Sequence, residues 1–348
     1  MRICFIGHFT AGGTERATAL VANGLCDNND IFLVNTCDRQ PYFYLSEKVS
    51  FEFLTSGNII NKNIGFFKFL KEQKIDVVIT VEAMAGIFSL IPARLTGCKH
   101  IVWEHANYFQ TQGSRYIQKI RQLELKTADA YIVLTKRDLN NFKQNFKIKS
   151  RIDYIYNPIE SVADVEYDMS SKTIVSVGHI RKIKNFTTIP DIAKIVFAKH
   201  PDWNWKIYGA TEGEEYEKLK AKISDYGLEE KIIFCGRSND MDSVYKSAAM
   251  YVMTSLQEGL PMVLLEAKAR KLPLVSFDIE TGPDEIIRDS VNGFLVPPYD
   301  IEVMAEKINE LIENDSLKKE FSDNSVLDIE HFDENSVTQK WESVLKSV

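Results

Sequence analysis

Glu258-Gly-Leu-Pro-Met-Val-Leu-Leu-Glu266 sets two carboxylates with seven residues between them, the first of them on a Gly/Pro turn. The run before it, Met250-Tyr-Val-Met-Thr254, reads as a buried strand, and 262–270 reads as a helix. Pro261 suits the first helical position, where a missing N–H costs nothing. The free amides after it form a positive helix end suited to a phosphate. Glu258 then stands at the strand's carboxyl end and Glu266 about one turn into the helix, so that both could face one cleft. A carboxylate accepts two hydrogen bonds at once, which matches the neighbouring hydroxyls of a ribose or hexose. The combination fits a sugar-nucleotide site. The plain alternative is a surface glutamate beside a turn and a solvated glutamate on a helix.

Working outward, short apolar runs alternate with amphipathic segments, the pattern of βαβ units and parallel sheets. In the first half, strands are expected at 2–7, 31–35, 75–81, 99–103 and 130–134, with helices at 14–26, 62–73, 84–96, 114–128 and 136–146. A strand-like Asp153-Tyr-Ile-Tyr156 ends at Asn157-Pro158, and 159–171 is polar and patternless, as a domain boundary should be. The rhythm then restarts, with strands at 173–177, 204–208, 231–235, 249–253 and 273–277. Helices are expected at 186–199, 213–226, 241–247, 262–271, 301–314 and 317–324. Pro190 either bends the first of these or marks a later start. Val337, Trp341, Val344 and Leu345 recur at helical spacing in the tail. The fold class is therefore α/β, with two Rossmann-like, doubly wound domains at 1–158 and 172–330 and a C-terminal helix within 331–348.

The chain's 348 residues suffice for two cores. No apolar run approaches the ~20 residues of a spanning helix. Met1-Arg-Ile-Cys-Phe-Ile-Gly7 leads straight into a strand pattern without a secretory h-region. Cys4, Cys26, Cys37, Cys98 and Cys235 are scattered, odd in number and without a C-x-x-C pair, which suggests a reduced, cytoplasmic protein. Charge is divided unevenly. Residues 1–150 carry 19 Lys/Arg against 13 Asp/Glu, whereas the whole chain has a net charge of −7. A basic front half on an acidic protein suggests an anionic partner such as a phospholipid surface or a lipid diphosphate. Nucleic acid is disfavoured, since no reader motif is present.

Gly12-Gly13-Thr14 follows the first strand and opens a helix, so the backbone there can approach a diphosphate. Gly-x-Gly-x-x-Gly is absent, which disfavours a dinucleotide oxidoreductase. Val177-Gly-His-Ile-Arg-Lys-Ile-Lys184-Asn185 also follows a strand. With Gly-Gly-Thr-Glu-Arg before it and the Glu258–Glu266 stretch after it along the chain, it closely resembles the retaining glycosyltransferases of family 4. That family has two facing Rossmann-like domains, the GT-B fold, and a tail that packs back on the first. The resemblance covers essentially the whole chain and is strongest over 174–300.

The resemblance implies roles for particular residues. Gly12 and Gly13 would lie against the donor's phosphates, and Lys184 would hold the diphosphate. His179 stands where the family usually has arginine. It is mostly neutral at pH 7 and cannot make a bidentate fork, so it would be protonated there, or Arg181 or Lys182 would reach in instead. Gly236-Arg237-Ser238 sits where relatives hold the nucleobase by backbone contacts. Glu258 and the residues Gly259, Leu260, Pro261, Met262 and Val263 would position the sugar, and Glu266 would grip the ribose. His105, just past strand 99–103, aligns with a family histidine near the transferred sugar; His8 could line the same cleft or simply pack. The catalytic set is then His105, Lys184 and Glu258.

Asp240-Met-Asp242 resembles a metal-binding Asp-x-Asp, but it precedes a helix, where Asp240 would be the N-cap and Asp242 an early acid. No metal and no cofactor are expected. Glu285, in the family-like Gly-Pro-x-Glu stretch, would shape the cleft. Two basic, aromatic stretches, 62–74 with Phe66, Phe67 and Phe69 and 115–121, could form a membrane-surface element; Arg115, Lys119, Gln122 and Lys126 share one helical face. A solvated basic face is the alternative.

The reading is a cytoplasmic enzyme, peripheral on the inner face of the plasma membrane, with its active site in the cleft between the domains. It would move a hexose or N-acetylhexosamine from a nucleotide-sugar donor, a UDP-sugar by the resemblance, to a glycan or lipid-diphosphate-linked acceptor. Two alternatives stay open: a UDP-sugar epimerase or hydrolase on the same fold, and a degenerate nucleotide-sugar-binding protein.

Overall fold

The computed structural model describes residues 1–54, 56–111, 114–160 and 166–348. The chain divides into two compact units, Met1–Glu160 with His331–Val348, and Ser161–Glu330. Part of the expected boundary, 161–165, lies outside the described residues.

The first unit runs β1 (Arg2–Gly7), α1 (Gly13–Leu25), β2 (Asp30–Asn35), β3 (Val49–Phe53), α2 (Ile59–Glu72), β4 (Val77–Val81), α3 (Gly86–Thr96), β5 (Lys99–Trp103), α4 (Arg115–Thr127), β6 (Ala130–Val133), α5 (Lys136–Asn145) and β7 (Arg151–Tyr154). Among the described residues its strands form one parallel sheet in the order β3-β2-β1-β4-β5-β6-β7. Val77–Val81 is buried along its whole length, as expected of a strand covered on both faces. Phe66 and Leu70 of α2 join Cys4, Ile6, Phe32 and Val78 in one core cluster.

The second unit repeats the plan with β8 (Thr173–Val177), α6 (Ile189–Lys199), β9 (Asn204–Tyr208), α7 (Glu214–Asp225), β10 (Ile232–Gly236), α8 (Met241–Lys246), β11 (Met250–Met253), α9 (Met262–Ala269), β12 (Leu274–Phe277), α10 (Pro283–Ile286), β13 (Gly293–Val296), α11 (Ile301–Glu313) and α12 (Asp315–Asn324). Its parallel sheet has the order β10-β9-β8-β11-β12-β13. The last helix, α13 (Glu334–Ser347), belongs to the first unit and packs on α1. It buries Val337, Trp341, Val344 and Leu345, and Gly24 makes the close approach possible: a Cβ there would lie 2.3 Å from Thr338 Oγ1.

In each sheet the strand order reverses once, between β1 and β4 and between β8 and β11. Ligands of open α/β sheets bind outside the carboxyl ends of the strands at such a point. The loops carrying Gly12, Lys184 and Glu258 follow β1, β8 and β11, so all three flank a reversal.

Two expectations change, and one open alternative is decided. Val49–Phe53 and Gly293–Val296 are strands that the apolar-run reading missed; both are sheet edges, and the first is exposed at three of five positions. Of the two readings of Pro190, the later start is the one found: α6 begins at Ile189, with the proline in its first turn, where its missing N–H is harmless. Pro261 is the residue capping α9 (φ −73°, ψ 103°), one position before the first helical residue.

Gly209 directly follows β9 with φ +145°, and a Cβ there would lie 1.9 Å from the Gly178 carbonyl oxygen. That oxygen is backbone of the loop leading to Lys184. Gly209→Ala should therefore destabilise the second unit by ~2 kcal/mol or more. For a unit of this size that corresponds to a melting temperature roughly 4–8 °C lower, measurable by calorimetry. An unchanged melting temperature would mean that the Gly178–Gly209 contact is not a constraint.

Candidate active site

In the second unit, the loop after β8 tightens into a 3₁₀ turn at Lys182–Lys184, with Asn185 left-handed at φ 54°. Lys184 Nζ lies 2.6 Å from Glu258 Oε1, and both side chains are mostly buried. Two bonds fasten the loops together. Thr254 Oγ1 donates to the Lys184 carbonyl (3.0 Å), and the Leu256 N–H donates to that of Ile183 (2.8 Å). On the far side, Thr281 Oγ1 donates to the Glu258 carbonyl (2.6 Å). Gly282, at φ +104°, packs where a Cβ would lie 2.5 Å from Pro261 Cδ. The Glu258–Pro261 turn is thus held from two directions and presents the first amides of α9, including those of Met262 and Val263, which an α-helix leaves without intrahelical acceptors.

Glu266 is buried just over one turn into α9, and Tyr245 Oη donates to its Oε2 (2.7 Å). Tyr251, on β11, is raised above the usual phenol range chiefly by burial and further by the charges of Glu258 and Glu266. Both carboxylates thus act electrostatically on one buried phenol. Its hydroxyl bonds the Val177 backbone, at the start of the Lys184 loop.

His179 is half-buried, whereas Arg181, Lys182 and Arg237 are exposed. Gly236 ends β10 at φ +68° and accepts from the Gly209 N–H (2.8 Å). Asp240 caps α8, accepting from the Ser243 N–H (3.0 Å), and Asp242 Oδ1 accepts from Arg270 Nε (2.9 Å). Both acids are engaged in holding helices.

In the first unit Gly12 caps α1 with extended backbone (φ −131°), and a Cβ there would meet nothing within 4 Å. No neighbouring atom requires a glycine at this position, so the room above it is open. Thr14 Oγ1 donates to Glu82 Oε1 (3.0 Å). His8 is exposed, with Nδ1 3.4 Å from Thr36 Oγ1. His105 is buried, and burial lowers its pKa to about 3, so its imidazole is uncharged at neutral pH.

Arg121 corrects the sequence reading most sharply. It falls in the basic stretch 115–121, off the face shared by Arg115, Lys119, Gln122 and Lys126, and its side chain is fully buried. It donates to Glu104 Oε2 (2.8 Å) and to the carbonyls of Ala106 (2.9 Å) and Asn107 (3.1 Å). The charge sits on the inward face of α4, where it clamps the loop bearing His105. Phe66 is likewise core, Phe69 packs against that core and Phe67 is half-buried, so these three phenylalanines do not form an exposed aromatic face.

Residues 11–161 match the family described as Glycosyltransferase Family 4, and residues 160–326 match Glycosyl transferases group 1. The chain is 31% identical over 345 residues to an uncharacterized glycosyltransferase of Haemophilus influenzae, covering 97% of each chain. The chain belongs to glycosyltransferase family 4. It is also 29% identical over 356 residues to the amylovoran biosynthesis glycosyltransferase AmsD of Erwinia amylovora, again covering 97% of each. Two solved structures carry the same GT-B fold. Staphylococcus aureus TarM, with UDP bound, has a TM-score of 0.85 at 16% identity, over 99% of both chains. Anabaena HepE, also with UDP, has 0.87 at 18%, over 100% of both.

Several residues of this glycosyltransferase's candidate site escaped sequence reading. Thr254, Thr281, Tyr245 and Tyr251 act through bonds to residues 21 to 74 positions away, and no local pattern signals those. Glu82 had a signal, its place directly after a buried strand at the β1/β4 reversal. It adopts φ 66°, which is uncommon for a residue with a side chain and worth reading as a functional hint.

Burial, reinforced by the charge of Glu104, raises the Glu82 pKa to about 7. Burial likewise raises Asp138 to about 7 against the Tyr108 N–H bond that opposes it. In the unfolded chain both ionise near pH 4. The folded enzyme then holds more protons between about pH 4 and 7, so stability should fall as pH rises through that window. Urea titrations should give a lower midpoint at pH 8 than at pH 5.5, and Glu82→Gln should flatten part of the slope. A midpoint that rises with pH would contradict both protonation states.

Proposed function

We propose that this glycosyltransferase moves a hexose or N-acetylhexosamine from a UDP-sugar to a glycan or lipid-diphosphate-linked acceptor, with retention and without a metal, in cell-surface polysaccharide or glycoconjugate synthesis. The observation carrying this reading is the Lys184–Glu258 pair set beside the amino end of α9. An ammonium, a carboxylate and free amides together match a diphosphate joined to a hydroxyl-rich ring.

In this reading Glu266, aligned by Tyr245, grips the ribose hydroxyls. Lys184 holds the diphosphate with His179 or Arg181, and the Gly236-Arg237 backbone holds the base. Glu258, Gly259, Leu260, Pro261, Met262 and Val263 orient the sugar. In the first unit Gly12 and Gly13 admit the phosphates, and His105 stands near the transferred sugar as a neutral hydrogen-bonding group. The departing phosphate takes the acceptor's proton, so catalysis is positioning plus stabilisation of the charge that builds on the leaving group. Support for the donor comes from the HepE structures described with UDP and with UDP-glucose. Support for the acceptor class comes from a Campylobacter jejuni relative, 26% identical over 367 residues, named for transfer to a diNAcBac-PP-undecaprenol-linked glycan.

No helix among the described residues is long and apolar enough to cross a membrane. Reversible docking on anionic lipid is proposed instead. Ile59, Ile60 and Ile64 of α2, Ile91 and Leu95 of α3, and Tyr116 and Leu123 of α4 are all exposed. Exposed Lys68, Lys71, Arg94, Arg115, Lys119 and Lys126 accompany them on the same three helices. Apolar side chains with basic neighbours suit an anionic bilayer, which contributes about 1 kcal/mol per cation near its surface.

Lys184→Ala should weaken UDP binding by ~1.5–3 kcal/mol in calorimetry, and turnover by more, because the lost contact strengthens as the leaving group gains charge. Wild-type UDP affinity in that variant would move the diphosphate site elsewhere. Radiolabelled UDP-sugars, incubated with and without lipid-linked acceptor, separate transfer from epimerisation or mere binding. EDTA should leave transfer intact; loss restored by Mg²⁺ or Mn²⁺ would refute metal independence. Changing Arg115, Lys119 and Lys126 to Ser should reduce sedimentation with phosphatidylglycerol vesicles. Equal sedimentation of the wild type with neutral and anionic vesicles would refute the docking.

A further inference from the structure

His105 follows β5 by two residues, so its side chain and that of Trp103 project to the same side of the sheet. The two rings lie 4.5 Å apart at an interplanar angle of 52°. Trp103 in turn meets Trp341 of α13 edge to face, at 4.9 Å and 66°. Both indoles are completely buried. The three rings form one stack running from the C-terminal helix to the imidazole.

Among the described residues no hydrogen bond holds the His105 ring, and its buried Nε2 has no partner. Metal-free histidines with a fixed task are normally oriented by a bond at the other ring nitrogen. Here the loop backbone is clamped by Arg121, but the imidazole itself rests on the aromatic face of Trp103. Trp103 can tilt only as far as Trp341 allows. Arg121 therefore sets where His105 begins, and the stack sets where its ring points.

We propose that Trp341 is a positioning residue for His105, acting through Trp103 to orient the imidazole. This rests on the role given above to His105. It also gives the return of the C-terminal helix to the first unit a task beyond covering α1. The helix has other anchors: Val337, Val344 and Leu345 are buried, Asp333 caps it through the Asn335 and Ser336 amides, and the Ile159 N–H donates to the Phe332 carbonyl (2.8 Å). Trimming Trp341 should therefore leave α13 docked while releasing the ring it supports.

The test uses the full chain with ¹⁵N-histidine labelling, calorimetry with UDP, and turnover of UDP-glucose and UDP-N-acetylglucosamine, followed as UDP release. Trp341→Leu should shift the ring nitrogen signals of His105, assigned by their loss in His105→Asn. Val337→Ala, a second core change in the same helix, should leave them in place. Turnover should fall about 10–100-fold in Trp341→Leu, the scale of a small misplacement near the reacting atoms, with UDP affinity unchanged. Trp341→Phe should recover most of it. On a His105→Asn background, Trp341→Leu should cost nothing further. His105 signals unmoved by Trp341→Leu, or an equal loss with and without His105, would overturn the proposal. Full turnover in His105→Asn would instead refute the role given to that histidine, and the nitrogen signals would still decide whether Trp341 orients its ring.

Discussion

Parallel strands cannot be joined by tight turns, so every connection in these two sheets must cross back over a face. All carboxyl strand ends in a unit then share one edge, and the loops leaving them must splay apart wherever the strand order reverses. The candidate functional residues follow from that constraint. Lys184 leaves β8 and Glu258 leaves β11, the two strands that meet at the second unit's reversal. Gly12 and Glu82 leave β1 and β4, which meet at the first.

Within each unit, topology brings these loops to one edge of the sheet but does not hold them still. A lysine carries ~2 kcal/mol of rotamer entropy, and a glutamate on a free loop would wander as well. Here each loop is fastened by its backbone. Thr254 and Leu256 bind the Lys184 loop, Thr281 and Gly282 brace the Glu258 turn, and Gly209 presses on Gly178. Glu266 needs no such brace, because helix α9 carries it and the Tyr245 hydroxyl aims its carboxylate. Preorganisation of this kind is what a reaction governed by positioning and charge stabilisation requires.

The first unit solves a harder electrostatic problem. Glu82, Glu104, Glu124 and Asp138 are all withdrawn from water near one buried guanidinium, that of Arg121. One cation cannot neutralise four carboxylates, so burial raises Glu82, Glu124 and Asp138, while Glu104 keeps the direct ion pair. Removing either partner of a buried pair leaves an uncompensated charge, which commonly costs several kcal/mol. Arg121 is therefore committed to the interior.

Period and composition were enough for the α/β class, for nearly every helix, and for the central strands, because a strand covered on both faces must be apolar along its length. The Glu258–Glu266 spacing also sufficed to put Glu266 one turn into a helix that starts just past the Glu258 turn, since it crosses only a turn and one helical turn. The edge strand Val49–Phe53 was illegible, because its half-exposed residues carry no continuous apolar run. Arg121 and Phe66 were misread for a related reason. Nothing local distinguishes an arginine on the outer face of α4 from one turned inward onto a glutamate 17 residues earlier. The bonds from Thr254, Thr281 and Tyr245, and the ring contact from Trp341 to Trp103, join positions brought together only when the sheets close. Local pattern determined which elements form; long-range packing alone decided which side chains stand ready beside them.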